Sequence, residues 1–537
     1  MNLIHGDRNR IDRNSFFFQD FISTGVLYVD KTKFIEHACA IPEERVMLIT
    51  RPRRMGKSLN LDTLRTFLDC TQNTGELFKG LYIESSSVWE MLNKYPVIYL
   101  DFKDLILKDY KQRFRNLVRK FIKKYLPIDQ LDDIVKEYYI TADFSTAILC
   151  DLSEALYNYY GVKPYIIIDE YDNLFMSSIG NSGFDDFRGW LRDVLSSALK
   201  GNRFLEKAVL TGVNRIAQES LFSGLNNITV YDVFTPSKFD TDFGLTEEEV
   251  AQLIPDIEER KRVREWYNGF RVGNSEVYNI YSVTSYLAFH EFDNYWGMSG
   301  VMHQFKRMLT PSRQEKLGNI LAGKPVIAEV EPRLTYDALV HAGKERTFWG
   351  LAVQTGYLAY DPVEGYRKYT YYLRLSGLEL KEVWVDFILD EIYTSTRLAF
   401  QDALAKLPDF SDLGEIISGY LSFYDFDFQE HEKTYHVAVL FLFSALGYKI
   451  TSNRESGLGR YDVLLELPKF SIIFEFKVAE SETPVSLRLA AEKALAQIDE
   501  REYWRGCNPE LPLYKIGIGF FGKRCSSISV LHDGAKK

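Results

Sequence analysis

Two sets of residues in this sequence have the types and spacing for phosphate chemistry. In the first, Arg51-Pro52-Arg53-Arg54-Met55-Gly56-Lys57-Ser58 ends in a glycine, a lysine and a hydroxyl. A phosphate-binding loop needs that order: backbone amides aimed at phosphate oxygens, an ammonium for the terminal phosphates and a hydroxyl for magnesium. The first glycine of the pattern G-x-x-x-x-G-K-[ST] would fall at position 51, where Arg51 stands. Further on, Asp169 and Glu170 end an apolar run. The first suits holding magnesium together with Ser58, and the second suits polarising an attacking water. Arg51, Arg53 and Arg54 either neutralise phosphate charge or face solvent.

The second set is Asp462 with Glu475-Phe476-Lys477. If residues 463–467 and 470–474 form a hairpin turning at Pro468-Lys469, paired residue numbers sum to 937 and Asp462 faces Glu475. Side chains alternate across a strand, so Lys477 projects on the same side as Glu475. Two carboxylates placed together favour a cation between them, and oxygen ligands favour Mg²⁺ or Mn²⁺, with the Phe476 carbonyl as a further ligand. Such a site suits phosphodiester hydrolysis, with Lys477 orienting water or pairing with the phosphate. Arg454 and Arg460 either supply local charge for a nucleic-acid backbone or pair with Glu455 and Asp462.

Both sets need elements to hold them. Val46 to Thr50 reads as a strand leading into the loop, and Leu59, Leu61, Leu64, Phe67 and Leu68 recur at helical spacing after it. Further strands are read at Val97 to Leu100, Tyr165 to Ile168 and Ala208 to Thr211, with a basic amphipathic helix from Tyr110 to Tyr125. Strands alternating with helices predict a mostly parallel sheet covered on both faces. Thr246 and Glu249 form a capping box that opens a helical region. Thr335 to Leu375 reads as a helix followed by a two-stranded hairpin, a winged-helix-like module, and Glu379 to Phe423 reads as helical. The glycine loop Gly457 to Arg460 precedes the second acid, and a helix is expected over Leu487 to Tyr503 with Gln497 and Tyr503 on one side. These signals divide the chain into an ATPase-type domain over 1–243, a helical lid over 244–334, a winged-helix-like connector over 335–425 and a terminal α/β domain over 426–537.

Composition sets limits on partners. The 537 residues exceed one core, and 46% hydrophobic with 26% charged residues is ordinary for folded domains. With 65 Lys and Arg against 75 Asp and Glu, the net charge of -10 excludes coating of nucleic acid by bulk charge. The 34 Tyr and 37 Phe read first as packing. Five scattered cysteines without a C-x-x-C pair fit reduced thiols, and no signal sequence or membrane-length apolar stretch is seen. A cytoplasmic location without membrane partners is expected.

The first set resembles the AAA-ATPase-like family of prokaryotic proteins. The resemblance rests on Tyr28-Val29-Asp30-Lys31-Thr32, the Arg-Pro-Arg-Arg loop, Ile168-Asp169-Glu170-Tyr171-Asp172, Phe222-Ser223-Gly224-Leu225-Asn226-Asn227, Phe243-Gly244-Leu245-Thr246 and Trp266-Tyr267-Asn268-Gly269-Phe270. It implies an ATP-binding parallel-sheet P-loop (ASCE-type) fold, makes Arg51 a usual member of the loop, and places Thr211 at a sensor position. Arg215 then either reaches a γ-phosphate, in its own copy or across a homo-oligomer, or forms a structural salt bridge. The terminal segment resembles the PD-(D/E)XK nuclease superfamily, in the branch fused to AAA-ATPase-like domains. That implies a restriction-endonuclease-like fold with Asp462, Glu475 and Lys477 as the pattern residues, Gln497 and Tyr503 as helix positions, and Tyr435-His436 on a preceding helix. Glu432 or His436 either completes the metal or base site or is a core residue.

The expectation is therefore an ATP-regulated, magnesium-dependent nuclease acting on DNA in preference to RNA, in a setting such as defence against mobile elements. A signalling or scaffolding ATPase whose nuclease fold binds nucleic acid without cutting is the competing expectation. A helicase-like motor is disfavoured by the single ATPase core.

Overall fold

The computed structural model describes the chain except residues 1–2, 14, 128–134, 136–144, 217–226, 297–304, 306–307, 309, 322, 325, 341–343, 385–401, 404–405, 407–409, 411, 423–431, 446–448, 453–454 and 533–537. Arg454, the stretch 222–226 and much of the helical connector thus lie outside the described residues. Two compact units emerge, Met1–Met308 with Ile327–Glu379, and Leu309–Val326 with Leu380–Lys537.

The first unit is built on a five-stranded parallel sheet. Its strands are β1 (Val46–Thr50), β2 (Val97–Asp101), β3 (Tyr165–Asp169), β4 (Lys207–Gly212) and β5 (Ile228–Tyr231), in spatial order β2-β3-β4-β1-β5. Every residue of β1, β3 and β4 is buried, as expected of central strands covered on both faces. Because β4 lies between β1 and β3, the carboxyl ends of three strands converge on the loop that leaves β1. Ligands of open α/β sheets bind at such ends.

Helix α1 (Lys57–Leu68) follows the loop, and α2 (Tyr110–Tyr125) spans the residues its amphipathic pattern predicts. Helix α3 (Phe184–Leu199) closes much of the rest. The aromatic residues pack: Phe18 stacks on Phe78 at 4.7 Å, and Tyr110, Phe114 and Trp190 meet edge-on or tilted at about 5 Å.

Beyond the sheet, the capping box forms at the start of α4 (Glu247–Leu253), where the Thr246 hydroxyl accepts from Glu249 N and the Glu249 carboxylate accepts from Thr246 N. Glu249 also pairs with Lys31 at 2.7 Å, both buried. The Tyr28 to Thr32 motif is therefore a latch: Asp30 accepts from Thr32 N and Tyr82 N while Lys31 ties the opposite element. Helix α5 (Ile280–Phe289) is capped by Asn279. Strand β6 (Val326–Glu329) comes before helix α6 (Glu345–Gln354), and β7 (Ala359–Pro362) and β8 (Thr370–Arg374) follow it; the three strands form one sheet with β8 central. The sequence reading of a two-stranded hairpin missed β6, a four-residue strand without a pattern of its own.

The second unit carries a five-stranded mixed sheet in consecutive order: β9 (Lys449–Ser452), β10 (Val463–Glu466), β11 (Ser471–Val478), β12 (Leu513–Phe521) and β13 (Arg524–Leu531). Only β11 and β12 are parallel, and the helix joining them, α8 (Pro484–Glu500), follows α7 (Glu432–Ala445) in the chain. Gly517 and Gly519 let α8 lie on β12, since a Cβ at either would come within 2.2 Å of the Ala491 or Leu487 carbonyl oxygen. The chain is thus α/β in both units, as the sequence pattern requires.

Candidate active sites

At the first site, the loop from β1 to α1 turns through left-handed backbone at Arg54 (φ 62) and Gly56 (φ 82). Its lysine folds back: Lys57 Nζ donates to the carbonyls of Arg51 at 3.1 Å and Pro52 at 2.8 Å. Burial lowers the Lys57 ammonium to about 8, against the raising influence of Asp169, Glu170 and Asp172. Ser58 sits half-buried in the first turn of α1. At the end of β3, Asp169 Oδ1 accepts from the Thr211 hydroxyl at 2.7 Å and from Glu170 N at 2.9 Å. Thr211 therefore holds the acid that the sequence assigns to a metal. Glu170 adopts φ 49, an uncommon conformation for a side chain of its size. Burial first, then Asp169, pushes its carboxyl above the ordinary value, which strengthens it as a base.

The loop is fastened from outside the sheet. Gly244 N donates to Met55 O at 3.0 Å, Asn279 Nδ2 donates to Arg53 O at 3.4 Å, and the Arg54 guanidinium lies 4.6 Å over the Tyr281 ring. Gly356 backs onto Pro52, where a Cβ would come within 2.8 Å of the ring. None of these fasteners was singled out from sequence. The Phe243 to Thr246 motif was the available signal for Gly244; Asn279 and Gly356 left none.

Two arginines go elsewhere than toward a phosphate. Arg51 is fully buried, and its guanidinium donates to Thr50 O at 2.8 Å, Tyr231 O at 2.9 Å and Phe239 O at 3.0 Å. This corrects the expectation that its side chain neutralises phosphate: the carbonyls that end β1 and β5, and that of Phe239 further along the chain, need donors, and Arg51 supplies them. Burial lowers it to about 10, with Asp240, Asp242 and Asp232 opposing. Arg215 forms the structural salt bridge, to buried Asp232. Arg53 remains half-buried beside Lys57 and Glu170, acting on the charge of both. Asp172, which the sequence reading left without a role, accepts from Val213 N and Asn214 N and fixes the turn after Thr211.

The second site follows the register argued from sequence. Val463 pairs with Phe474 and Leu464 with Ile473, so numbers sum to 937. Asp462 N donates to Glu475 Oε2 at 3.3 Å, and Phe476 N donates to Asp462 Oδ2 at 2.8 Å. Lys477 Nζ stands 3.9 Å from Glu475 Oε1. Glu475 is 2% exposed, and its Oε1 accepts from Gln497 Nε2 of α8. Gln497 also donates to the Tyr503 hydroxyl at 3.1 Å. Tyr503 reaches this chain from a 3-10 turn over Tyr503–Gly506, because α8 ends at Glu500 and Glu502 turns left-handed at φ 53. The expected continuous helix to Tyr503 is corrected accordingly, while the pairing with Gln497 stands.

The glycine loop is pinned to that turn. Gly457 (φ 58) would place a Cβ 2.3 Å from Glu502 O, Leu458 N donates to Arg501 O at 2.7 Å, and Ser456 Oγ donates to Tyr503 O at 2.6 Å. Arg460 is exposed on the last rung, opposite Glu455. His436 is buried, with Nε2 shared between the Asp462 carbonyl at 2.9 Å and the Ser452 hydroxyl at 3.1 Å. It thus supports the backbone of the acid. The side chain of Glu432 lies outside the described residues. No group of three His, Cys, Asp or Glu side chains suited to a metal occurs among the described residues. The donor set that fits a hard cation is therefore Asp462, Glu475 and the Phe476 carbonyl, completed by water.

Residues 16–222 match the family model described as a predicted AAA-ATPase, and residues 430–529 match that of the PD-(D/E)XK nuclease superfamily. The chain thus joins an AAA-ATPase-like domain to a nuclease-superfamily domain. A protein of Azotobacter chroococcum mcd 1, described as an uncharacterized protein in the vnfD 5' region, is 26% identical over 516 residues, 92% of each chain. Among the described residues no helix is long and apolar enough to cross a membrane.

Proposed function

We propose that the protein binds and hydrolyses ATP and cleaves DNA phosphodiester bonds, with nucleotide state regulating the nuclease unit. The observation that carries the reading is the buried Glu475 held by Gln497 beside Asp462 and Lys477. A buried carboxylate fixed against a second acid and a lysine has a desolvation cost that ordinary strand packing does not require. Asp462, Glu475 and the Phe476 carbonyl would hold Mg²⁺ or Mn²⁺, which when bound supplies Lewis acidity and a more acidic water. Lys477 pairs with the scissile phosphate or orients the water, and Gln497 and Tyr503 fix the Glu475 rotamer.

At the ATP site, Lys57 exchanges its loop carbonyls for phosphate oxygens. Ser58 and Asp169 would hold magnesium, Thr211 keeps Asp169 in place, and Glu170 takes a proton from the attacking water. A pairing of this kind suits defence against mobile elements. The test is a nuclease assay on the purified full chain with and without ATP and Mg²⁺, beside Lys57→Ala and Lys477→Ala. Metal-dependent cleavage lost in Lys477→Ala supports the nuclease reading, and cleavage in Lys57→Ala that no longer responds to ATP supports the regulation; cleavage equal in Lys477→Ala and the parent overturns the nuclease reading. The alternative, nucleic acid held without cutting, is favoured by the Phe476 amide engaging Asp462 Oδ2. Retention of DNA with no product under any divalent metal would select it.

A further inference from the structure

Helix α2 concentrates positive charge in a chain whose net charge is -10. Its residues include Lys111, Arg113, Arg115, Arg119, Lys120, Lys123 and Lys124 and no carboxylate, and Lys108 precedes it. Among these, Arg113 pairs with Asp109 at 2.8 Å and Lys124 with Asp69. Lys108, Lys111, Lys120 and Lys123 are exposed and have no carboxylate partner among the described residues. The opposite face, Phe114, Val118 and Ile122, is at most 1% exposed. The helix therefore cannot roll its apolar side into a lipid surface, and only its charge is available to a partner.

On the side of α2 that carries Phe114, at its N-terminal end, a cleft of about 670 Å³ is lined by Lys108, Lys111, Arg115, Thr146 and Trp190, and by Asp109, which pairs with Arg113. Trp190 is half-buried and held by Tyr110 at 4.9 Å and Phe114 at 5.1 Å between ring centroids. A fixed indole among cations and hydroxyls, beside a carboxylate that Arg113 pairs, combines the two elements of single-strand recognition, an aromatic platform and a basic track. The track from Lys111 to Lys123 is about 18 Å long at about 1.5 Å per residue. That is long enough for several phosphates of one strand. The site is separate from the ATP phosphates: α2 follows edge strand β2, whereas the phosphate loop follows β1, with β3 and β4 between them.

We propose that the exposed face of α2 and the Trp190 cleft form a nucleic-acid contact on the ATPase unit, taking the backbone of a single strand. This rests on the reading that the protein's substrate is nucleic acid, and adds where the ATPase unit holds it.

The test uses the full chain in EDTA, so that cleavage does not enter, with a fluorescein-labelled single strand of mixed sequence. In the parent, binding quenches Trp190 fluorescence, identified as the part lost in Trp190→Phe, and affinity falls steeply with salt. The triple variant Lys111→Glu/Lys120→Glu/Lys123→Glu binds at least about tenfold more weakly, and its salt slope is shallower by about 2, from three cations at about 0.7 each. Lys→Gln at the same positions gives an intermediate loss, with ATP binding and Tm kept in both. A parent that binds and a triple variant with unchanged affinity and slope overturn this proposal while leaving the nuclease reading intact. A parent that binds no strand in EDTA, and cleaves none when Mg²⁺ is restored, overturns both. Binding to phosphatidylserine vesicles without binding to the oligonucleotide overturns it in favour of a membrane surface.

Discussion

The two candidate sites are built in different ways. At the nuclease-type site, Asp462, Glu475 and Lys477 lie on or beside two paired strands, and neighbours in register are neighbours in space. At the ATP-type site, the groups leave the ends of three strands through loops, and contacts from Gly244, Asn279 and Gly356 fix where the phosphate loop goes. Strand parity determines a side chain's direction almost without help from the rest of the fold. A loop residue's direction depends on which distant carbonyls need a donor. Arg51 shows the consequence, being of the right type, at the head of the loop, and turned into the sheet end.

The largest expected effect tests the strand-built site. Asp462→Ala and Lys477→Ala should each lower metal-dependent cleavage by at least about 10³-fold, as removal of a member of an interdependent catalytic set does. ATP turnover should be unchanged, and product formation on labelled duplex and single strands reads the result. If both variants cut like the parent, the parity argument has described a hairpin and not a site. At the loop-built site, Glu170→Gln should reduce ATP hydrolysis by about 10²- to 10⁴-fold, the range for loss of a general base. Nucleotide should stay bound, as measured by retained ATP after rapid gel filtration. Hydrolysis at the parent rate would remove Glu170 from the chemistry.

Supporting residues should give smaller losses. Gln497→Ala should cost about 10- to 100-fold in activity or metal affinity, the range for partners that orient a ligand. Gln497 is a positioning residue, so the activation curve should shift to higher Mg²⁺ concentration; a lower plateau at unchanged metal requirement would contradict that role. Arg51→Met should lower stability by about 3 kcal/mol, because three buried carbonyls lose their donor. Thermal unfolding would detect it, and the folded protein should bind ATP as before. A selective loss of ATP affinity without a Tm shift would return Arg51 to the phosphate.

Much of this fold was legible because apolar runs and helical periodicity mark elements directly. β1 to β4, α1, α2 and the 937 register all follow from short-range pattern. What was not legible depends on tertiary partners. Strand β6 is too short to carry a pattern and exists because β8 offers it an edge. Tyr503 seemed part of a helix until Glu502 broke it, yet the chain returns so that the Tyr503 hydroxyl still meets Gln497. The latch from Lys31 to Glu249 spans 218 residues, and neither member signals its partner.

The smallest effect is a pH dependence that separates the two sites, since it follows from the burial of Lys57. Burial holds its ammonium in the folded protein down to about 8, against 10.5 unperturbed. ATP phosphates favour the charged form, so below about 8 the lysine is already protonated and affinity is flat. Above it, binding must take up a proton, and affinity should fall by up to about tenfold per pH unit, equal to about 1.4 kcal/mol. The stability of the ATP-free protein moves the other way. Between about 8 and 10.5 the unfolded state holds more protons at this lysine, so the contribution of Lys57 to stability rises with pH. Calorimetry of ATP binding in buffers of different ionisation enthalpy, run in EDTA, should show uptake approaching one proton at pH 9. Lys57→Met should abolish that uptake, and Lys477→Ala should leave it unchanged. Equal proton uptake in Lys57→Met and the parent would move the linkage to another group and detach it from the loop.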